Sequence, residues 1–262
     1  MKFPPPALAG TKHALKFLSV SLSTAVLATA SQAAAFSETF ESYAPGSDIV
    51  GQGGWIGAGG PMLVSMAGPL PTNVLDGVSS APNATQHFAG HALAAPVLGQ
   101  VTVFAFDGFA SNSSHNSWVG LAADPTGALT YAVLWDFVGG SGWQLEIRED
   151  GQSPVAFIPG IGANTVSRFQ IFFDRMANQV WGTYDTGGGT VLTPQYAFAS
   201  ASFDQLDTIN VSFDYRGTRG IQVDNLQVST VPEPSTALLL VLGAVAAAVK
   251  GSCARRVGAR QA

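Results

Sequence analysis

Apolar and polar residues alternate with a period of two through the middle of this chain, and that alternation restricts its fold more than any other feature. Tyr131, Val133, Trp135 and Phe137 share one parity; Trp143, Leu145 and Ile147 share another, with Gln144, Glu146 and Arg148 opposite them. Phe169, Ile171 and Phe173 alternate with Gln170 and Phe172, and Ile209, Val211, Phe213 and Tyr215 alternate with Asn210, Ser212 and Asp214. Successive strand residues point to opposite faces, so these runs predict strands with one apolar and one wet face. Turn residues interrupt the runs roughly every 8–12 positions, and no long stretch carries a helical period. Two antiparallel sheets packed face to face bury such faces best, so the predicted fold class is all-β, an antiparallel β-sandwich.

The turns agree with that reading. Gly139-Gly140-Ser141-Gly142 separates two runs, Glu149-Asp150-Gly151-Gln152 suits a hairpin, and Asp174-Arg175-Met176-Ala177-Asn178 makes a longer connection. In the last run Ile221 and Val223 lie on one parity, but Leu226 and Val228 lie on the other. The chain must slip by one residue near Asp224-Asn225, which predicts a β-bulge there.

Composition limits what holds the sandwich and what it meets. The one cysteine, Cys253, lies in the C-terminal tail, so the sandwich contains no disulfide and depends on its core or on a metal. Residues 36–231 hold Arg148, Arg168, Arg175, Arg216 and Arg219, no lysine, and sixteen Asp and Glu. Such a surface repels phosphate backbones, which excludes nucleic acid as the expected partner.

Both ends carry targeting features. Lys2, Lys12 and Lys16 precede an apolar run at 17–30, then Ser31-Gln32-Ala33-Ala34-Ala35. A basic segment, a short apolar segment and the small-residue site Ala33-x-Ala35 make up a secretory signal peptide, with cleavage by signal peptidase after Ala35 leaving Phe36 first. At the other end, Val231-Pro232-Glu233-Pro234-Ser235 precedes an uncharged run at 237–249 and then Lys250, Arg255, Arg256 and Arg260. Thirteen residues at ~1.5 Å each give about 20 Å of helix against a ~30 Å hydrocarbon core, a marginal membrane span that must borrow its flanks. The basic cluster stays on the cytoplasmic side, which puts the acidic domain outside. The expected organisation is a signal peptide at 1–35, a β-sandwich domain at 36–230 and a sorting tail at 231–262, whose motif occupies 232–234.

Pro232-Glu233-Pro234, the short apolar helix and the arginine cluster at Arg255 and Arg256 resemble the PEP-CTERM sorting signal of Gram-negative bacteria. The resemblance implies an exosortase, a membrane transpeptidase-like cysteine protease, as processing partner, with cleavage near the motif after export. Two prolines cannot continue the helix outward, so the motif stays extended and open to a protease at the membrane face. The expected localisation is transient inner-membrane anchoring through the C-terminal helix, then the cell surface or the extracellular matrix, where exopolysaccharide is a candidate ligand.

Glu38-Thr39-Phe40-Glu41, Gly53-Gly54-Trp55, the runs at 143–151 and 169–184, and Val223-Asp224-Asn225-Leu226 resemble the concanavalin A-like, LamG-like jelly rolls. That resemblance implies a structural calcium ion held by Glu41 and Asp224. Calcium prefers six to eight oxygen ligands, so carbonyls or waters would complete the shell. The alternative is a pair of surface acids at neighbouring strand ends.

Catalytic patterns are missing. A glycoside hydrolase needs two carboxyls roughly 5–9 Å apart, whereas Glu146 to Asp150 spans roughly 13 Å along a strand, with Arg148 between them. His87-Phe88-Ala89-Gly90-His91 has the histidine spacing of a zinc helix, but Phe88 stands where the base would be and Gly90 disfavours a helix, so a loop is expected. No Gly-x-Ser-x-Gly elbow occurs. Among the tryptophans, Trp135 and Trp143 read as core. Trp118, beside the polar stretch 111–117, is the candidate exposed ring for stacking on a sugar, with burial as its alternative. The sequence therefore points to a non-enzymatic surface or matrix protein; a secreted glycan hydrolase and a purely structural surface protein are the alternatives.

Overall fold

The structure is a computed structural model describing residues 33–66, 68–77, 86–93, 101–111, 116–124, 129–214 and 221–231. The predicted signal helix, the predicted helix at 237–249, and Pro232, Glu233, Pro234, Arg255 and Arg256 lie outside the described residues. No helix among the described residues is long and apolar enough to cross a membrane.

The strands follow in chain order: β1 (Ala33–Glu38), β2 (Trp55–Ala58), β3 (Val64–Ser65), β4 (Val74–Asp76), β5 (Gln86–Ala92), β6 (Val101–Ala110), β7 (Asn116–Ala122) and β8 (Ala132–Val138). They continue with β9 (Gly142–Arg148), β10 (Val155–Ile161), β11 (Ser167–Asp174), β12 (Gln179–Asp185), β13 (Val191–Leu192) and β14 (Tyr196–Ala197). A single-turn helix α1 (Ser200–Phe203) then leads into β15 (Thr208–Asp214) and β16 (Ile221–Val231). The larger sheet runs β13-β12-β11-β6-β16-β4-β3, with β1 also paired to β16 and β14 to β12; the smaller runs β10-β9-β8-β7-β15-β5-β2. The strand pairings are antiparallel. Neighbours such as β6–β16 and β15–β5 are distant in sequence, as the crossings of a jelly roll require.

Each alternating run places its apolar parity between the sheets. Val133, Trp135, Phe137, Trp143, Leu145, Phe169, Ile171, Ile209, Val211 and Phe213 are fully buried there. Phe169 of the larger sheet is the hub, its ring 4.9 Å from Trp135 and 4.7 Å from Trp143 of the smaller sheet and 5.1 Å from Phe106. Gly182 leaves room for this packing, since a Cβ there would lie 2.9 Å from Trp135.

The opposite parity of the smaller sheet corrects the expectation of a wet face. Trp118, Ala122, Ala132 and Leu134 form a second apolar cluster there with Phe88 and Leu129, and Asn210 and Ser212 are fully buried. Alternation separates the two sides of a strand but does not say that the second side meets water; here Asn210 bonds the Trp118 ring and the Asp124 carbonyl, while the Ser212 hydroxyl is buried without a partner among the described residues.

The predicted bulge is present. The β16–β6 register shifts between Asp224 and Gln227, and Asn225 sits at φ 51°, a left-handed conformation that asparagine tolerates better than most residues. Ile221 and Val223 before it and Leu226 and Val228 after it all reach the core. In β1, Ala33 pairs with Thr230 and Ala34 with Ser229. After a second irregularity, Phe36, Ser37 and Glu38 pair with Val228, Gln227 and Leu226. Ala33 and Ala35, the expected cleavage residues, thus belong to the strand that closes against β16.

Candidate functional site

The bulge sets the site. Across the larger sheet, Asp185 pairs with Arg168, Arg168 with Asp107, and Asp107 with Asp224, one residue from each of β12, β11, β6 and β16. This row lies on the face away from the core, because Phe169 and Phe106 take the alternate parity. Arg168 Nη1 donates to Asp107 Oδ1 at 3.1 Å and to the Asn225 carbonyl at 3.4 Å. Asn225, turned outward by the bulge, donates from Nδ2 to Asp107 Oδ2 at 2.7 Å and from its backbone N–H to Asp224 Oδ1 at 2.6 Å. Asp185 Oδ1 accepts from the Gly187 and Gly189 amides at 2.7 and 3.2 Å, fixing the loop after β12. A cavity of about 660 Å³ opens over this row, bounded by Thr72, Gln170, Tyr184 and Thr190.

Glu41 and Asp224, the expected calcium ligands, converge on consecutive residues of one loop. Glu41 Oε1 accepts from the Asn73 amide at 3.0 Å, and Asp224 Oδ2 accepts from Thr72 Oγ1. Burial pushes the Asp224 carboxyl above its ordinary range, opposed by the bonds from Thr72 and Asn225 and reinforced by the negative charges of Asp107 and Glu41. Asn73 donates from Nδ2 to the Tyr43 carbonyl at 3.1 Å, while its buried Oδ1 has no partner. The unpaired amide oxygen belongs to the loop that both carboxylates bind, and oxygen donors are the chemistry calcium selects. Among the described residues, no group of three or more His, Cys, Asp and Glu is arranged to hold a metal. A calcium here would therefore use Asn73 and further oxygens besides Glu41 and Asp224.

Trp118 lies on β7, with 9% of its surface exposed, and its Nε1 donates to Asn210 Oδ1 at 2.8 Å. Trp55, Trp135 and Trp143 are buried in the core, while Trp181 is half-exposed on the outer face of the larger sheet. There its ring stacks on Phe172, centroids 5.2 Å apart and planes within 1°. Alternation pointed to strands in this region but did not single out Trp181, because its cross-strand partner depends on the register of the β11–β12 hairpin.

A carboxyl pair occupies the smaller sheet. Asp136 faces Gln144 across β8–β9, so Glu146 is its diagonal neighbour. Gln144 Nε2 donates to Asp136 Oδ2 at 3.4 Å and to Glu146 Oε2 at 3.5 Å, and Arg148 Nε donates to Glu146 Oε1 at 2.6 Å. Asp136 and Glu146 are 6% and 5% exposed. Burial first, and then the hydrogen bond and charge of Glu146, raise the Asp136 carboxyl to about 8, against the pull of Arg148 and Gln144. Asp136 thus holds a proton at neutral pH, and its buried Oδ1 has no hydrogen-bond partner among the described residues. Alternation alone did not pair them, although the hairpin turn at 139–142 fixes which residues lie opposite.

His87 and His91 lie on strand β5, correcting the expected loop. Pairing with β2 on one side and β15 on the other overrides the glycine between them. His87 Nδ1 meets the Pro61 carbonyl at 2.9 Å; His91 meets the Ala92 carbonyl through Nδ1 at 2.9 Å and the Gly53 carbonyl through Nε2 at 3.1 Å.

Residues 230–256 match the PEP-CTERM protein-sorting motif. No curated protein matches the chain by sequence. Among solved structures, a carbohydrate esterase from Shiga toxin-encoding bacteriophage phi24B superposes with a TM-score of 0.51 at 15% identity, covering 76% of this chain and 99% of that one. Peanut lectin in complex with a peptide superposes with a TM-score of 0.50 at 10% identity, over 75% of this chain and 97% of that one. Identities this low establish the fold alone: the chain carries a PEP-CTERM sorting motif behind a lectin-like, concanavalin A-like jelly roll.

Proposed function

We propose that this is an exported surface or extracellular-matrix protein, freed from a transient inner-membrane anchor by an exosortase, whose jelly roll binds exopolysaccharide without turning it over. The observation that carries the reading is the sorting motif at 230–256, in which a proline-flanked motif precedes an apolar run and a basic end. The lectin-like fold and the cavity above the Asp107–Arg168 row support the binding function. A calcium ion at Glu41, Asp224 and Asn73 would tie the loop at 70–73 to the bulge and so brace one wall of that cavity.

A secreted glycan hydrolase is the second reading, favoured by the protonated Asp136 beside Glu146, since an acid next to a carboxylate is the pairing glycosidases use. Two observations weigh against it. Gln144 Nε2 sits between the two carboxyls and Arg148 holds Glu146, so neither is free to meet a glycosidic bond. They are also almost wholly buried. The test is binding of the surface-recovered protein to a glycan array, with and without calcium chelation, alongside a reducing-sugar assay. Binding that weakens on chelation, with no sugar released, is expected. Sugar release abolished by Asp136→Asn would establish the hydrolase, and a silent array with no release would leave a purely structural protein.

A further inference from the structure

The outer face of the β11–β12 hairpin continues beyond the cavity as an ordered strip. Arg168–Asp185, Gln170–Thr183 and Phe172–Trp181 are successive cross-strand pairs on this face. At ~3.3 Å per residue the stacked rings lie about 13 Å from the guanidinium row, a span that suits an oligosaccharide rather than a single sugar. At one end is an aromatic platform, and aromatic faces accept the C–H faces of sugar rings. In the middle, Gln170 Oε1 is fixed by Thr183 Oγ1 at 2.9 Å, which aims its amide nitrogen. Among the described residues that nitrogen and Asp185 Oδ2 carry no hydrogen bond. At the other end the cavity offers Asp107, Arg168 and Asn225, already locked to one another, so little side-chain entropy is lost on binding.

Charge selects the class of glycan. Arg168, the basic residue of this strip, is paired with Asp107, and Asp185 and Asp224 flank them, so uronate or sulfate groups would be repelled while hydroxyls find both donors and acceptors.

We infer that the outer face of the β11–β12 hairpin, from the Phe172–Trp181 stack to the Asp107–Arg168–Asp185 row, is the binding groove for a neutral oligosaccharide. This rests on the proposed exopolysaccharide-binding function and assigns its site. The opposite sheet, where Trp118 is tied to Asn210, takes no part.

Affinity electrophoresis of the surface-recovered protein through gels containing dextran, laminarin, xylan or alginate tests this. At least one neutral polymer is expected to retard the wild type and alginate is not. Trp181→Ala should weaken retardation at least about tenfold, Trp181→Phe should keep most of it, and Gln170→Ala should weaken it at an unchanged melting temperature. The Gln170 variant keeps the test open if Trp181→Ala fails to fold. Retardation untouched by the Trp181 and Gln170 changes but lost in Trp118→Phe would overturn the inference while leaving glycan binding intact. Preference for alginate would overturn the neutral class. No retardation by any polymer would sink the binding function itself.

Discussion

Asp136 carries the sharpest residue-scale consequence. The folded protein holds its proton up to about pH 8, whereas an unfolded chain releases it near the ordinary 3.8. Between those values the native state binds more protons, so this group's contribution to stability is full at acid pH and is lost as pH rises toward 8. Asp136→Asn keeps the shape and removes the charge. It should raise stability at pH 9 by at least about 1 kcal/mol more than at pH 5, as read by thermal melts at both values. Equal effects at the two pH values would mean that Asp136 is ionised in the native state throughout. The pair it forms with Glu146 was within reach of sequence reasoning, because a short glycine turn fixes the register of β8 against β9. The row Asp185–Arg168–Asp107–Asp224 was not, because β6, β11 and β16 meet only through long crossings that no local pattern encodes.

At the scale of elements, the bulge in β16 links the core to the site. It switches the inward parity from Val223 to Leu226, and in doing so turns Asn225 out to hold Asp107 and Arg168. Asn225→Val places a β-branched residue at positive φ and removes the amide that orders Asp107, which should cost about 1–3 kcal/mol in urea unfolding. Asn225→Gly keeps the backbone and should cost less, while still loosening the Asp107–Arg168 pair. An Asn225→Val variant as stable as wild type would mean that the strand slips elsewhere. The bulge was legible because a strand whose inward parity switches midway must take up an extra residue at the switch. Strand β5 was not, because His87, Gly90 and His91 carry no strand signal and acquire their conformation from β2 and β15. The buried outer side of the smaller sheet was missed for a related reason: Glu146, Asn210 and Ser212 look solvated one by one, yet they are buried once the neighbouring strands and the Trp118 cluster assemble around them.

For the jelly roll as a whole, the first and last strands pair with each other. Strand β1 begins at Ala33 and pairs with the last residues of β16, and the sorting motif follows directly after Val231. Cleavage after Ala35 would remove the pairs Ala33–Thr230 and Ala34–Ser229 but leave Phe36, Ser37 and Glu38 in place, so the released domain keeps its closing strand. The fold class was legible because alternation runs through most of the strands, and the sorting tail because its three parts lie in order within about thirty residues. The intact mass of the protein recovered from the cell surface tests the central claim most directly. The mass should correspond to a chain beginning at Phe36 and ending near the 232–234 motif; a mass that still includes residues 237–249 and the basic end would contradict it.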